Sequence, residues 1–346
     1  MRVVFLLSRY TFFFENVIVK ISENKNVTKI IVVYWINDHL PVEPSITSNK
    51  IHFVRRDLLI PELLFSNSTI NLVYLPGWMD KGYLKIVKKY KAKDYKLITC
   101  IGIDDQWHWS LRQIIGVFVF KLLWKNLIDF AWIAGAPQYM YARMFGFSSS
   151  KIGYNLLSSG FTGDIDKIKI PSDKLKFIFV GRLVKEKNLL TFLSVFNNIN
   201  IENITLDIIG DGYLMEKLKS CKFKNVNFLG YQPPEVVSHL LKSSDIFVLP
   251  SIHEQWSVAL HEAMSYGLVG LVSKNVGANS EFLIEGYNGY SFDPKNCESI
   301  RKAIEKINSH SPEKILEFKK ASYKLSQRIN VEISSFSFLS FESKIC

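Results

Sequence analysis

The sequence predicts an α/β protein with two domains, each built around a parallel sheet flanked by helices. The chain has 346 residues, which is too long for one ordinary domain and suits two α/β domains of common size. Short apolar runs alternate with helical or loop segments, which is the pattern that a parallel sheet with crossover helices produces. Hydrophobic residues make up 48% of the chain, enough for two sizeable cores.

Residues 1–168 are predicted to form the first domain. Seven apolar runs are expected as strands, near residues 3–7, 30–35, 51–54, 70–75, 97–103, 130–134 and 151–155. Three segments are expected as helices, near residues 80–91, 110–127 and 137–145. A polar run of turn-forming residues at 160–173 then predicts the linker between the domains.

Residues 174–325 are predicted to form the second domain, and their pattern is clearer. Strands are expected near residues 176–180, 206–210, 226–229, 245–249, 269–272 and 289–292. Helices are expected near residues 189–196, 234–243, 296–308 and 312–328, together with one that ends before Gly267. The regular alternation of strand and helix predicts a doubly wound sheet here as well.

The most informative stretch of the second domain runs from residue 245 to residue 267. Its strand stops at Pro250, and a helical pattern then leads to Gly267, a residue type common just after a helix end. Glu254 lies on the intervening loop, whereas Glu262 lies inside the helix on the side that points back toward that loop. Open α/β sheets bind ligands beyond the carboxyl ends of their strands, so the two carboxylates indicate a binding site. Taken alone, the pair is as consistent with a binding site as with the alternative, in which one glutamate is a surface carboxylate and the other forms a helix salt bridge.

A second set of candidate residues follows the strand at 176–180. Gly181 and Arg182 turn out of this strand, and Lys187 precedes the next helix. A glycine turn with basic residues beside a helix N-terminus is a ready site for an anion. The guanidinium of Arg182 can donate two hydrogen bonds to a diphosphate, and the ammonium of Lys187 can act as a point charge. Without the glutamate pair, basic surface residues flanking a turn would be the better interpretation.

These motifs together resemble the retaining glycosyltransferases of the GT-B fold, family 4. Two glutamates separated by seven residues, with Glu-Ala-Met and then a glycine, are similar to the signature of that family. The resemblance covers roughly residues 174–310, through the segments 180–188, 210–212, 267–273, 277–281 and 286–289. It implies two Rossmann-like domains that face each other across a cleft, with a C-terminal helix at about 326–346 that packs back on the first domain.

The resemblance implies the transfer of a sugar, with retention at its anomeric carbon, from a nucleoside-diphosphate sugar to a hydroxyl group. It places Glu254 by the transferred sugar, Arg182 and Lys187 on the diphosphate as catalytic cations, and Glu262 on the donor ribose. Five more residues are candidates for donor binding: Gly181, Tyr231, Trp256, Ser257 and Val258.

The implied donor is UDP- or GDP-linked, and the implied acceptor is an oligosaccharide or a lipid-linked saccharide of bacterial surface polysaccharide, such as O-antigen or capsule. Neither a metal nor a cofactor is expected, because the basic residues would replace a cation at the diphosphate. The sequence departs from the family at one loop, where Glu-Gly-Phe-Gly becomes Glu254-Gln-Trp-Ser257. The loss of both glycines leaves the backbone contacts of this loop open, although Trp256 keeps the aromatic position.

The part of the sequence that would bind the acceptor shows the weakest motifs. The usual glycine-rich turn after the first strand is absent, and residues 8–14 stand in its place. Asp105, Trp107 and His108 follow the end of a predicted strand and are the acceptor-side candidates. Aromatic side chains at such a position can stack on sugar faces. The alternative is a capped helix start with a tryptophan packed over it.

The charge of the chain is concentrated in its first half. Residues 1–170 contain 22 Lys/Arg and 13 Asp/Glu, a net charge of +9, whereas residues 171–346 contain 21 and 19, a net charge of +2. This bias suits an anionic membrane surface or a phosphate-bearing ligand, while solvated lysines are the alternative. Seven lysines between residues 81 and 96 are the best local candidate for headgroup contact. No nucleic-acid partner is expected, because no motif of that class accompanies the charge.

An apolar helix near residues 114–125, interrupted by two lysines, can be interpreted in two ways. It could lie in a membrane interface with its lysines extended to water, but burial between the sheet and its neighbours is the favoured interpretation. No apolar run reaches the length of a membrane-spanning helix, and no signal peptide is expected. Cys100, Cys221, Cys297 and Cys346 show no paired spacing, so a reduced, cytoplasmic location is expected, with peripheral membrane contact.

Two other functions remain compatible with the sequence. A sugar-nucleotide epimerase could use the same two-domain scaffold, because fold does not determine chemistry. A non-catalytic protein that binds nucleotide sugars or nucleic acid is the alternative from a different class.

Overall fold

The chain forms two compact units. The computed structural model describes residues 1–8, 10, 12–35, 44, 46, 48–93, 95–160, 163–172, 174–199 and 201–344, without the side chains of residues 12 and 13. One unit consists of Met1–Gly160 with Ile329–Cys346, and the other is Phe161–Arg328. The break falls at the start of the predicted linker, of which residues 161, 162 and 173 lie outside the described part. The predicted domain limits at 168 and 174 stay predictions.

A seven-stranded parallel sheet forms the centre of the first unit, as the sequence predicts. The strands follow the order β3-β2-β1-β4-β5-β6-β7, and every neighbouring pair is parallel. Four of the five residues of β1 and all five of β4 are buried, as expected for strands covered on both faces. The strands are β1 (Arg2–Leu6), β2 (Lys29–Tyr34), β3 (Ile51–Arg55), β4 (Asn71–Leu75), β5 (Leu97–Ile103), β6 (Phe130–Ile133) and β7 (Ile152–Gly153).

In the part of the first unit before residue 160 that the structure describes, the α-helices are α1 (Phe12–Ser22), α2 (Lys81–Lys91), α3 (Leu111–Leu123) and α4 (Tyr139–Met144). Helices α2 and α3 begin at side-chain caps, since Asp80 accepts hydrogen bonds from two backbone amides of α2 and Ser110 accepts one from α3. Helix α1 was not predicted, because its first residues are apolar without a helical period. The loop between β1 and α1 contains residues 9 and 11, which lie outside the described part.

The favoured interpretation of α3 as a fully buried helix is wrong. Gln113, Gly116, Val117 and Phe120 are buried toward the sheet. The opposite side of α3 carries large apolar side chains that are exposed. Across the described residues, no helix combines the length and the apolar composition that a membrane crossing requires.

The second unit contains a six-stranded parallel sheet with the order β10-β9-β8-β11-β12-β13. This is the order 3-2-1-4-5-6 of a dinucleotide-binding Rossmann fold when its strands are counted along the chain. The six predicted strands are all present, with ends shifted by one residue at most places. They are β8 (Leu175–Val180), β9 (Ile204–Ile209), β10 (Val226–Gly230), β11 (Ile246–Leu249), β12 (Val269–Ser273) and β13 (Gly289–Phe292).

The helices of the second unit cover its sheet and supply the strand crossovers. Asn296 and Ser311 cap two of them through their side chains, in agreement with the predicted helix starts. The helices are α5 (Leu189–Asn198), α6 (Met215–Ser220), α7 (Pro234–Lys242), α8 (Val258–Ser265), α9 (Asn279–Phe282), α10 (Cys297–Asn308) and α11 (Pro312–Ser326).

The last helix, α12 (Val331–Ser343), belongs to the first unit. Phe338 is fully buried, and its ring lies 5.0 Å from that of Trp132 and 5.1 Å from that of Phe5. The Ser337 hydroxyl donates a 2.6 Å hydrogen bond to the Tyr154 carbonyl. Aromatic packing therefore joins the C-terminal segment to the first sheet.

We expect Phe338→Ala to lower the free energy of unfolding by about 3–5 kcal/mol, because it leaves a cavity between α12 and the sheet. Phe336→Ala on the same helix is the control, since that side chain is 74% exposed and its loss should cost less than about 0.5 kcal/mol. Chemical denaturation of both variants measures the difference. Equal stability of the two variants would show that α12 contributes little to the first unit.

Candidate functional site

The candidate site lies at the carboxyl edge of the second sheet, where the strand order reverses. Strand β8 is first in sequence yet lies between β9 and β11, so the chain leaves it on one side and returns on the other. The loop after β8 (181–188) and the loop after β11 (250–257) therefore meet at this position. In open α/β sheets this reversal point is where ligands bind.

An ion pair joins these two loops. The Lys187 ammonium contacts the Glu254 carboxylate at Oε2, and the two side chains are 14% and 22% exposed. The backbone supports the same contact, because the Ile252 amide donates a 2.9 Å hydrogen bond to the Glu186 carbonyl. Two residues that the sequence assigned to one site are thus in direct contact, although 67 positions separate them.

Glu254 is held on both sides by residues that the sequence analysis did not select. Its amide donates to the Asn275 carbonyl at 3.1 Å, and its carbonyl accepts from the Gly277 amide at 3.0 Å. The buried hydroxyl of Ser251 donates to the same carboxylate oxygen that contacts Lys187, at 3.2 Å. A serine directly after the strand-ending Pro250 was the available signal in the sequence. These contacts fix the direction of the carboxylate before any ligand binds.

The turn after β8 is built on close backbone approach. A Cβ atom at Gly210, where φ is +126°, would lie 2.0 Å from the Gly181 carbonyl oxygen, so only glycine fits there. A Cβ atom at Gly181 would lie 3.7 Å from Cε of Lys187, which shows that the lysine side chain passes along this turn. Arg182 is exposed, and within the described residues it forms no ion pair. Its guanidinium is therefore available to an anion.

The loop that departs from the family pattern enters α8 through Ser257. This residue has φ +113°, a conformation that favours glycine, and its hydroxyl accepts a 3.1 Å hydrogen bond from the Leu260 amide. The cap offsets the strain that a side chain suffers there. The amides of Val258 and Ala259, in the first turn of α8, have no acceptor within the helix and can face an anion.

Trp256 lies beneath the loop and not on its surface. It is 2% exposed, and its ring centroid lies 6.1 Å from that of Phe282. Its carbonyl accepts a 3.2 Å hydrogen bond from the Ala278 amide, which joins this loop to the start of α9. Tyr231, in contrast, is 58% exposed directly after β10, two strands away from β8 at the same edge of the sheet.

Glu262 lies in the middle of α8. Burial raises the pKa of its carboxyl group to about 7, because the charged form loses hydration. Among the described residues, no cation and no hydrogen-bond donor compensates this carboxylate. A ligand that donates hydrogen bonds to Glu262, as a pair of sugar hydroxyls does, would therefore stabilise its ionised form.

The three acceptor-side candidates belong to the first unit, in the loop between β5 and α3. The ring of Trp107 lies 5.2 Å from that of Trp109 and 5.6 Å from that of Tyr141. Its indole N–H is buried and has no acceptor among the described residues. The Asp105 carboxylate accepts a 2.9 Å hydrogen bond from the amide of the next residue.

The side chain of Gln113 holds the same loop against α3. It donates a 2.6 Å hydrogen bond to the Gln106 carbonyl and accepts one of 2.7 Å from the His108 amide. Because Ser110 caps α3 and Trp107 packs on neighbouring rings, the alternative of a capped helix start with a packed tryptophan is present. The role of Asp105, Trp107 and His108 in acceptor binding stays a prediction.

No cluster of three or more acidic, histidine or cysteine side chains that could bind a metal occurs within the described ranges. The expectation of a reaction without a metal rests on the basic residues and stays a prediction.

Comparison with known proteins identifies the region that contains the site. The family model described as Glycosyl transferases group 1 matches residues 161–325. These residues, just under half of the chain, are similar to that family. The region that matches group 1 glycosyltransferases thus contains both glutamates, the basic turn and helix α8, and it agrees with a glycosyltransferase as the motifs predicted. The assignment to family 4 stays a prediction.

Two curated relatives illustrate the similarity. An uncharacterized 41.2 kDa protein in the cps region of Klebsiella pneumoniae is 26% identical over 66% of this chain. The Escherichia coli UDP-Gal:alpha-D-GlcNAc-diphosphoundecaprenol alpha-1,3-galactosyltransferase is 31% identical over 42% of this chain. The matches span 64% and 40% of the lengths of these relatives, so each covers only part of the relative.

A solved structure confirms the fold over the whole chain. The structure described as trehalose-6-phosphate from E. coli bound with UDP-2-fluoro glucose has a TM-score of 0.74 and is 10% identical. The match covers 100% of this chain and 99% of the other. Two parallel-sheet α/β units of the GT-B type, the predicted fold class, are thus confirmed.

The strained cap at Ser257 allows a paired test. We expect Ser257→Ala to destabilise the protein by about 1–2 kcal/mol, because it removes the cap and keeps a side chain at a positive φ. Ser257→Gly should be neutral or stabilising by about 1 kcal/mol, because the relief of strain exceeds the small capping difference between serine and glycine. Thermal unfolding of both variants measures the difference, and equal destabilisation by Gly and Ala would contradict it.

The raised pKa of Glu262 predicts a dependence of stability on pH. A carboxyl whose pKa is higher in the folded state binds its proton more tightly there, so its stabilising effect is complete at low pH and is lost as pH rises through about 7. Between pH 5 and pH 8, the free energy of unfolding of the wild type should fall by about 1–3 kcal/mol more than that of Glu262→Gln. Urea unfolding over this range measures it. Glu216→Gln, at an exposed position of α6, is the control and should show the same pH dependence of stability as the wild type. If Glu262→Gln also showed the pH dependence of the wild type, the raised pKa would not belong to Glu262.

Proposed function

We propose that this chain is a retaining glycosyltransferase that transfers a sugar from a nucleoside-diphosphate sugar to a hydroxyl of a glycan or lipid-linked saccharide. The observation that carries the proposal is the ion pair between Lys187 and Glu254 at the reversal point of the second sheet. It joins a cation suited to a diphosphate with a carboxylate suited to sugar hydroxyls. Both residues lie in the group 1 glycosyltransferase region.

The ion pair prepares both residues for a donor. A diphosphate carries more negative charge than a carboxylate, so it would draw the Lys187 ammonium away from Glu254. Ser251 and the flanking backbone contacts would keep Glu254 in place, and its freed oxygen could accept hydrogen bonds from the transferred sugar. Arg182, the turn at Gly181 and the first amides of α8 would complete the binding of the diphosphate.

The rest of the donor would contact α8 and the neighbouring loop. Glu262 would accept hydrogen bonds from the ribose hydroxyls, which would favour its charged form and lower its raised pKa. Tyr231, exposed after β10, is the candidate for contact with the base. A UDP-linked donor is favoured over a GDP-linked one, because the E. coli relative carries UDP-Gal in its name and the E. coli structure was solved with UDP-2-fluoro glucose.

The proposed chemistry uses the donor itself as the base. The bond between the anomeric carbon and the diphosphate oxygen breaks, and the acceptor oxygen forms its bond on the same face of the sugar. The acceptor proton passes to the departing phosphate oxygen. Lys187 and Arg182 would stabilise the charge on the diphosphate without a metal, and Glu254 would stabilise positive charge on the ring without acting as a nucleophile.

The proposal includes an acceptor carried by a lipid or an oligosaccharide and a role in surface polysaccharide assembly. Its support is the cps region of the Klebsiella relative and the diphosphoundecaprenol acceptor in the name of the E. coli relative. It also includes a location in the cytoplasm, on the inner face of the cytoplasmic membrane. Asp105, Trp107 and His108 remain the proposed acceptor-side residues.

A comparison of two lysines tests the donor site. We expect Lys187→Met to weaken UDP-sugar binding about tenfold or more, because a desolvated ammonium on a diphosphate contributes about 1.5–3 kcal/mol. Lys185→Met is the matched control, since Lys185 is exposed in the same turn and should matter less than about threefold. Calorimetric titration with UDP- and GDP-sugars measures both variants. Equal loss of affinity in the two variants would contradict a specific contact of Lys187 and would indicate only a general electrostatic attraction of the donor to the turn.

The same titration series separates binding from catalysis. Glu254→Gln should bind the donor nearly as well as the wild type and transfer sugar at least about a hundredfold more slowly, since it loses a charge that acts in the transition state. If the protein interconverted the donor sugar without any acceptor, it would be an epimerase and not a glycosyltransferase. Salt-dependent binding of RNA or DNA without donor affinity would replace the proposal by a non-catalytic function.

A further inference from the structure

The outer side of α3 carries a continuous apolar surface. Within the described residues, its large side chains on that side are 62–78% exposed: Leu111, Ile115, Phe118 and Leu122. We call these four residues the α3 outer face. Trp109, directly before the helix, is 69% exposed and extends the surface at its N-terminal end. A single exposed leucine is ordinary on a soluble protein, but a stripe along three turns of one helix indicates a partner.

The helical geometry explains why this side cannot serve the core. At about 100° per residue, the four members of the α3 outer face lie within about 60° of each other. The buried residues Gln113, Gly116, Val117 and Phe120 lie on the opposite side. Helix α3 is therefore apolar on two sides, whereas the helix of a soluble domain needs only one apolar side.

Cations border the α3 outer face on both sides. Arg112 and Lys121 are exposed at the two edges of the stripe, and the helix contains no acidic residue. A long cationic side chain beside an apolar stripe can reach the headgroups of a bilayer while its neighbours enter the acyl region. Mixed apolar and cationic character of this kind is complementary to an anionic lipid surface.

Helix α2 adds positive charge on the same side of the sheet. The connections from β4 to β5 and from β5 to β6 run in the same direction along the sheet, so α2 and α3 lie on one face. The large buried apolar side chains of both helices, such as Leu84 and Phe120, belong to one hydrophobic cluster. Between residues 81 and 151 the chain contains 12 Lys/Arg and 4 Asp/Glu, a net charge of +8. Lys85 and Lys88 are exposed members of this group.

We propose that the α3 outer face inserts into the interface of an anionic lipid membrane, with the lysines of α2 against the headgroups. The helix would lie in the plane of the interface, so that its stripe is buried and its two bordering cations remain at headgroup level. Since α3 begins beside Trp107 and His108, the acceptor-side loop would lie at the membrane surface. The consequence for a lipid-linked acceptor rests on the proposed function, whereas the membrane contact itself does not.

Flotation with lipid vesicles tests this surface. The wild type should associate with vesicles of equal parts phosphatidylglycerol and phosphatidylcholine at low salt, and far less with phosphatidylcholine alone. Phe118→Ser combined with Leu122→Ser should weaken association about tenfold or more. Lys85→Gln combined with Lys88→Gln should weaken it about fivefold or more and only on anionic vesicles. Phe336→Ser is the matched control, since it removes an equally exposed phenylalanine from α12, on the other face of the sheet.

Three results would overturn the inference: no flotation of the wild type, flotation of the α3 variant at the wild-type level, or equal loss in Phe336→Ser. Sedimentation velocity on the same samples tests whether a second copy of the chain covers the α3 outer face instead. A wild type that self-associates through α3 and does not bind vesicles would support self-association and contradict the membrane contact. Titration with a UDP-sugar keeps the two proposals apart. A protein that floats but binds no donor contradicts the proposed donor site and not this inference. One that binds donor but does not float contradicts this inference and the proposed membrane location, and not the proposed transfer of a sugar.

Discussion

The parallel pairing of β8 with β11 is the constraint on which the second unit depends. Because β8 is the first strand of the unit and lies in the middle of the sheet, the chain leaves it toward β9 and returns to its other side at β11. At such a reversal the connections that follow the two neighbouring strands continue to opposite faces of the sheet, which leaves room for a ligand beside the loops at the carboxyl edge. The sheet thereby brings Lys187 against Glu254 across 67 positions, and no local preference of either segment could do so.

Backbone contacts, more than side-chain contacts, hold the site in shape. Glu254 is fixed through its own amide and carbonyl to the loop after β12, and the turn at Gly181 is fixed by the close approach of Gly210. Such contacts tolerate changes of side chain, so they can persist although Glu254-Gln-Trp-Ser257 lacks the two glycines of the pattern that it resembles. At Ser257 the positive φ is kept and the serine hydroxyl supplies a helix cap in return.

Some features of the two units could be predicted from the sequence and others could not, for physical reasons. Buried parallel strands read as continuous apolar runs, so all thirteen strands of the described chain were predicted to within a few residues. Local motifs also sufficed for the basic turn and the two glutamates. The burial of Trp256, the contact of Ser251 with Glu254 and the exposure of α3 could not be predicted, because each depends on what lies opposite the residue in space. Helix α1 was missed because its apolar start has no helical period.

The exposure of α3 bears on why the first unit resembles the family less than the second. In the proposed function the second unit binds a donor whose diphosphate and ribose are common to a whole class of substrates, so its loops would face the same requirement in every enzyme that uses such a donor. The first unit would bind an acceptor that differs from one pathway to the next, and in the proposed membrane contact its outer helices would need only apolar area and positive charge. Many sequences satisfy that demand equally well. A weak motif signal combined with a confirmed fold is therefore what a lipid-facing acceptor unit should show.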